Sequence, residues 1–238
     1  MRALVTGGTK GIGFAIAEAI VGAGGQVMIT GRDDKGVTRA AAALMKSAAD
    51  GGQALGVVAD VRDPNAVLAA VNRAASALGS LDTLINNAGV GVFKGVETMT
   101  DDEWHRVIDT NLTGVFYATR AAIPHLKRAG GGWIINIASL AGRNYFANAG
   151  AYCASKAGLV AFSEAVMLEH RNDNIRVSCI MPGSVATEFN GPGAHGDESW
   201  KLTGKDIADV VMDLLNTRSA SLPSKIEIRP ARTQSKEP

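Results

Sequence analysis

Six short apolar runs punctuate the chain, at residues 3–6, 27–30, 54–59, 83–86, 133–138 and 177–181, and their aliphatic content predicts strands covered on both faces. The segments between them carry helical period instead. After Asp63 and Pro64, a good cap and first helical residue, Val67, Leu68, Val71, Ala75 and Leu78 follow at helical spacing. Thr100 and Glu103 read as a capping box, and Trp104, Val107, Ile108, Leu112, Val115 and Phe116 then line one face of a longer helix that Pro124 should bend. Strand and helix in alternation imply right-handed crossovers. The predicted fold class is therefore α/β, a doubly wound parallel sheet of about seven strands with helices on both faces. The glycine-rich stretch near residues 190–199 and the polar tail at 230–238 are too short to be domains, so one domain over residues 1–238 is expected, with 187–204 as a short lid over the substrate.

Composition narrows the function classes. A chain of 238 residues that is 46% hydrophobic holds enough material for one core of this kind. Lys and Arg number 24 against 23 Asp and Glu, so no charge excess points to nucleic acid. Cys153 and Cys179 form no CxxC pair, which predicts a reduced, cytoplasmic setting. The chain reaches Gly7 before a signal-peptide core could form, and no apolar run approaches the ~18 residues of a membrane span, so a soluble protein without a membrane partner is expected. His105, His125, His170 and His195 show no ligand spacing, so no metal is expected.

The first strand runs directly into Thr6-Gly7-Gly8-Thr9-Lys10-Gly11-Ile12-Gly13 and then a helix. Glycines here allow a tight turn and let a pyrophosphate rest on free backbone N–H groups at the positive end of the helix. Gly7, Thr9, Lys10, Gly11, Ile12 and Gly13 are accordingly cofactor-binding candidates, against the alternative of a plain tight turn. The second strand ends at Gly31-Arg32, where an acidic residue would select a free ribose hydroxyl. Arg32, with Lys10, predicts NADP(H) in preference to NAD(H), although either cation alone fits a solvated surface. If Asp33 instead faces the ribose, the preference inverts. Asp60 and Val61, closing the third strand, are placed to meet the adenine, and Asp60 also fits a helix-entry role.

Tyr152 and Lys156, four apart on a helix, share a face. An ammonium beside a phenol stabilises the phenolate, which a tyrosine acting as acid or base near neutral pH requires. Ser139 closes the fifth apolar run, at the strand end where ligands bind in such sheets, and could polarise a substrate oxygen. Asn111 sits mid-helix, a poor position for its propensity, and invites another explanation.

Together, TGGTKGIG at 6–13, Asn86-Asn87-Ala88-Gly89, Asn111, Ser139, Tyr152 with Lys156, and Pro182-Gly183 followed by Thr187 resemble the short-chain dehydrogenase/reductase family in its single-domain, Rossmann-like form, near its carbonyl and 3-oxoacyl-acyl-carrier-protein reductases. The resemblance spans about residues 2–216. It implies hydride transfer between NADP(H) and a small carbonyl or alcohol substrate, with Tyr152 as general acid/base and Ser139 orienting the oxygen. Lys156 would lower the tyrosine pKa and bind the nicotinamide ribose, and Asn111 would hold a proton-relaying water. Asn87, Ala88 and Gly89, and Pro182, Gly183, Val185 and Thr187, would line the cofactor; a homodimer or homotetramer is implied. The chain departs from many relatives after its last strand, where residues 225–230 run into a polar tail. Tyr145, Phe146, Phe189 and Trp200 are candidate apolar walls or ordinary packing. Two alternatives remain: an isomerase, epimerase or dehydratase that regenerates its cofactor, and a non-catalytic NADP-binding sensor or scaffold on the same fold. The substrate is left open.

Overall fold

Alternation along β1 (Arg2–Val5) sends Ala3 and Val5 to one side of the sheet and Leu4 to the other. The structure, a computed structural model, describes residues 1–187 and 198–232. Phe189, His195, most of the expected lid at 187–204 and the end of the polar tail lie outside the described residues. Within them, β1 is joined by β2 (Gln26–Gly31), β3 (Gln53–Val58), β4 (Thr83–Asn86), β5 (Gly132–Ile137), β6 (Ile175–Pro182) and β7 (Lys225–Ile228) in one parallel sheet ordered β3-β2-β1-β4-β5-β6-β7. The strand order reverses between β1 and β4, which opens a crevice at the carboxyl ends of the strands.

Register makes the core continuous. Met28, Leu4, Leu84, Ile134 and Val177 stand in one row across five strands. That row packs on α3 (Pro64–Ala77), α5 (Gly114–Arg128) and α6 (Gly150–His170). Ile29, Val5, Ile85 and Ile135 form the next row and face the other way, onto α1 (Gly11–Gly22), α2 (Asp34–Lys46) and α7 (Gly204–Leu215). Removing such side chains from water is the main stabilising contribution of both layers.

Several helix starts form as their sequences predict. Asp63 accepts from the backbone N–H groups of Asn65 and Ala66 before Pro64 opens α3, and Thr100 and Glu103 close a reciprocal capping box on α4 (Asp101–Ile108). A second box, Thr203 with Asp206, starts α7 and was not anticipated from the sequence.

Other expectations are corrected. The run at 54–59 is not covered on both faces: β3 is an edge strand, and Val58 is 45% exposed. Leu68, Trp104 and Phe116 stand exposed, because Ala70 and Ala74 in α3, Val107 in α4 and Ala118 in α5 take the inward positions. The long helix is interrupted before Pro124, at a π-helical turn over Asp109–Thr113 that separates α4 from α5 and carries Asn111. β7 was missed because an edge strand with only two apolar positions, Ile226 and Ile228, gives almost no periodic signal.

Candidate active site

β1 and β2 end against the glycine turn. Gly7 and Gly11 both adopt positive φ, near 63° and 59°, and a Cβ on Gly7 would lie 2.9 Å from the Ala88 backbone. α1 begins at Lys10 without a side-chain cap and with no acidic residue in its first turn, which leaves its positive end available to an anion. Asn87 holds the turn in shape: its Nδ2 donates to the carbonyls of Thr6 and Gly7, both at 3.0 Å, while Thr6 Oγ1 accepts from the backbone N–H of Asn87 and Ala88.

A cavity of about 960 Å³ lies along the carboxyl ends of the strands. Gly7, Thr9, Lys10, Gly11 and Ile12 line its floor. Arg32, Asp60 and Val61 line it beyond β2 and β3, and Asn87, Ala88 and Gly89 beyond β4. Ser139, Tyr152 and Lys156 line the wall made by β5 and α6, followed by Pro182, Gly183, Val185 and Thr187 after β6.

Two predicted site residues are not among those that line the cavity. Gly13 does not line the cavity; it is glycine because a Cβ would fall 2.3 Å from Asn87 Nδ2 and 2.5 Å from the Gly7 carbonyl. Asn111 does not line it either. Its Oδ1 accepts from Val90 N at 2.8 Å, and its Nδ2 donates to Val90 O at 2.9 Å and Ser155 Oγ at 3.0 Å. The side chain therefore ties the loop after β4 to α6, one residue before Lys156, and both its amide protons are committed.

At the adenosine end, Asp33 does not face the cavity. Its carboxylate caps α2 by accepting from Gly36 N at 2.6 Å, leaving Arg32 on the lining. Asp60 is paired with Arg62 at 2.6 Å, and that guanidinium holds its carboxyl below the usual range.

The reactive wall is largely buried, with Ser139 and Tyr152 half-exposed to the cavity and Lys156 behind them. Burial pushes the Tyr152 phenol above its ordinary pKa, opposed by a hydrogen bond with Ser139. Ser139 Oγ also accepts from Ala141 N at 3.1 Å, which fixes it as the cap of a short turn. Lys156 is 4% exposed and donates to the Ile137 carbonyl at 2.8 Å, with its Nζ 5.9 Å from the Tyr152 ring centre. Burial rather than the lysine sets the direction of the tyrosine's shift here, and burial pushes the lysine itself down to about 8. Phe93 meets Tyr152 edge-on at 5.5 Å between ring centres and stacks on Phe146 at 6.1 Å. Phe146 and Trp200 line the cavity as expected of apolar walls; Tyr145 points away, 70% exposed. The sequence reading missed Phe93 and, beyond β7, Arg229 and Arg232, which carry no motif and read as tail charges.

A lysine held near 8 in the fold and near ~10.4 when unfolded binds its proton more tightly in the unfolded chain, so its contribution to stability increases as pH rises through that interval. Lys156→Met should be more stable than the parent at about pH 7.5, and that advantage should shrink by about 2 kcal/mol by about pH 10. Urea denaturation of both proteins at the two pH values checks this. Tyr152 and Cys179, whose raised pKa values act in the opposite direction as pH rises, are present in both proteins, and of the two Cys179 is the one on which the lysine charge acts.

Among the described residues no group of three or more His, Cys, Asp or Glu side chains could hold a metal, and no helix is long and apolar enough to cross a membrane.

Comparison with known proteins agrees with this geometry. Residues 1–197 match the model of the short chain dehydrogenase family. A 3-oxoacyl-(acyl-carrier-protein) reductase of Chlamydia muridarum is 36% identical over 187 residues, 79% of this chain and 75% of that protein. An alcohol dehydrogenase from the archaeon Thermococcus sibiricus, solved with 5-hydroxy-NADP, superposes with a TM-score of 0.88 at 27% identity, covering 99% of this chain and 98% of its own. A metagenomic short-chain oxidoreductase in complex with NADP gives a TM-score of 0.83 at 34% identity, with 97% of each chain covered.

Proposed function

The chain belongs to the short-chain dehydrogenase family, and from that premise we propose that it is a single-domain, NADP(H)-preferring reductase or dehydrogenase acting on a small carbonyl or alcohol. The observation that carries this reading is the shared wall of Ser139, Tyr152 and Lys156 facing a cavity floored by the glycine turn. The cofactor fits the residues present: the uncapped start of α1 suits a pyrophosphate, and Arg32 suits a 2′-phosphate while Asp33 is occupied elsewhere. NADP-bound relatives of high structural similarity support the same cofactor.

Bound nicotinamide would supply the hydride. Tyr152 Oη donates its proton to the substrate oxygen during reduction and takes it back during oxidation, while Ser139 Oγ orients that oxygen. The raised phenol pKa keeps the proton on Tyr152 until a cation enters the site; Lys156 and an oxidised nicotinamide both stabilise the phenolate. Asn111 acts as a positioning residue, holding the Val90 loop and α6 in register around Lys156.

The test follows absorbance at 340 nm with NADPH and NADH against ketones, aldehydes and 3-oxoacyl esters. Consumption of NADPH supports the reading; tight NADPH binding with no turnover in either direction favours a sensor. Arg32→Gln is expected to weaken NADPH binding by roughly ten- to a hundredfold, the loss of one or two charge-assisted bonds, with little change for NADH in a fluorescence titration. A native preference for NADH overturns the assignment of Arg32.

A further inference from the structure

The end of the cavity beyond β6 and β7 gathers several basic side chains. Arg229 and Arg232 line it after β7, and Lys201 and Trp200 line it from the segment bridged to Val185. Among the described residues, two carboxylates stand near these cations, and both are engaged. Glu198 pairs with Lys201 at 2.6 Å; Glu227 is shared at 2.9 Å by Arg143 and Arg229, which hold its carboxyl below the usual range. Among the described residues, the positive charge of Arg143, Arg229 and Arg232 is thus opposed by a single carboxylate. The indole Nε1 of Trp200, a donor only, is buried with no hydrogen-bond partner among the described residues.

Arg229 and Arg232 stand too far along the sheet to serve the cofactor's phosphates. Strands lie ~4.8 Å apart, so β7 is four steps, about 19 Å, from the glycine turn after β1, and five steps, about 24 Å, from Arg32 after β2. It is only two steps, about 10 Å, from Ser139 after β5. Phe93, stacked on Phe146 and edge-on to Tyr152, adds an apolar surface to the same cavity.

We propose that the substrate is an amphipathic anion: a carbonyl or alcohol reacting at Tyr152, on an apolar ring or short chain that lies against Phe93 and Phe146, with a carboxylate or sulfonate held by Arg229 and Arg232. This rests on the reductase reading and adds the substrate class to it. Arg229 gives one edge of its guanidinium to Glu227 and keeps further N–H groups in its planar fork for a second anion.

The experiment measures binding of 4-acetylbenzoate, 4-acetylbenzenesulfonate and methyl 4-acetylbenzoate to the NADP⁺-saturated protein by calorimetry, so that it does not depend on turnover. Both anions should bind at least about tenfold tighter than the ester, as expected for a charge-assisted pair. In the double variant Arg229→Gln, Arg232→Gln that ratio should fall towards one, and in Arg229→Glu it should favour the ester. Tight binding of one anion alone identifies which acid the site takes and supports the proposal. Equal affinity for acids and ester, an anion preference that survives in the double variant, or no binding of either anion at low millimolar concentration overturns it. Failure of every ketone to consume NADPH, with the anion preference intact, would instead overturn the reductase reading alone.

Discussion

Tyr152→Phe is expected to lower kcat for carbonyl reduction by roughly 10²–10⁴-fold, the span a positioned general acid supplies, while leaving NADPH affinity and fold intact. The change deletes one oxygen. Ser139 keeps its hydrogen bond from Ala141 N, the Phe93 contact keeps both rings, and Lys156 keeps the Ile137 carbonyl. Steady-state kinetics beside a fluorescence titration of NADPH separates the two effects. Parental kcat in the variant would remove Tyr152 from the proton transfer, and lost cofactor affinity would make its role structural.

Gly13→Ala should act through packing. The added methyl would meet Asn87 Nδ2 at 2.3 Å and the Gly7 carbonyl at 2.5 Å. Displacing Asn87 breaks its two hydrogen bonds to Thr6 and Gly7, the bonds that hold the turn beneath the cavity. Overpacking of ~1–3 kcal/mol and about 1 kcal/mol for each lost hydrogen bond predict a stability loss of about 3 kcal/mol. For a chain of this length that lowers Tm by roughly 6–12 °C. NADPH should bind at least about tenfold more weakly. Thermal unfolding and a cofactor titration check both; an unchanged Tm with normal NADPH affinity would show that the turn has slack these distances deny.

What could be read from the sequence was local and periodic. The β1 to α1 turn, the capped starts of α3 and α4 and the central strands write their geometry into neighbouring residues. Asn111 was visible only as an anomaly, a polar residue where a helix wants none. Its partners lie 21 and 44 residues away, so its work in tying Val90 to Ser155 could not be seen from spacing. Gly13 was read as a cofactor contact because its motif gives position but not the neighbour its missing Cβ protects. The tyrosine and lysine were found as a pair, yet the sign of their pKa shifts depends on burial, which four-residue spacing does not encode. Arg229 and Arg232 read as solvent charges until β7, itself almost silent in the sequence, placed them at the cavity.

The division of the cavity between two halves of the sheet has an evolutionary consequence. The glycine turn, Asn87 and Thr6 hold one another through short bonds buried between β1 and β4, so change there disturbs several groups together. The opposite end rests on an edge strand and two surface segments whose side chains mostly face solvent or the cavity. A lineage can therefore replace residues after β7 one at a time and acquire new substrates, while inheriting its redox chemistry unchanged.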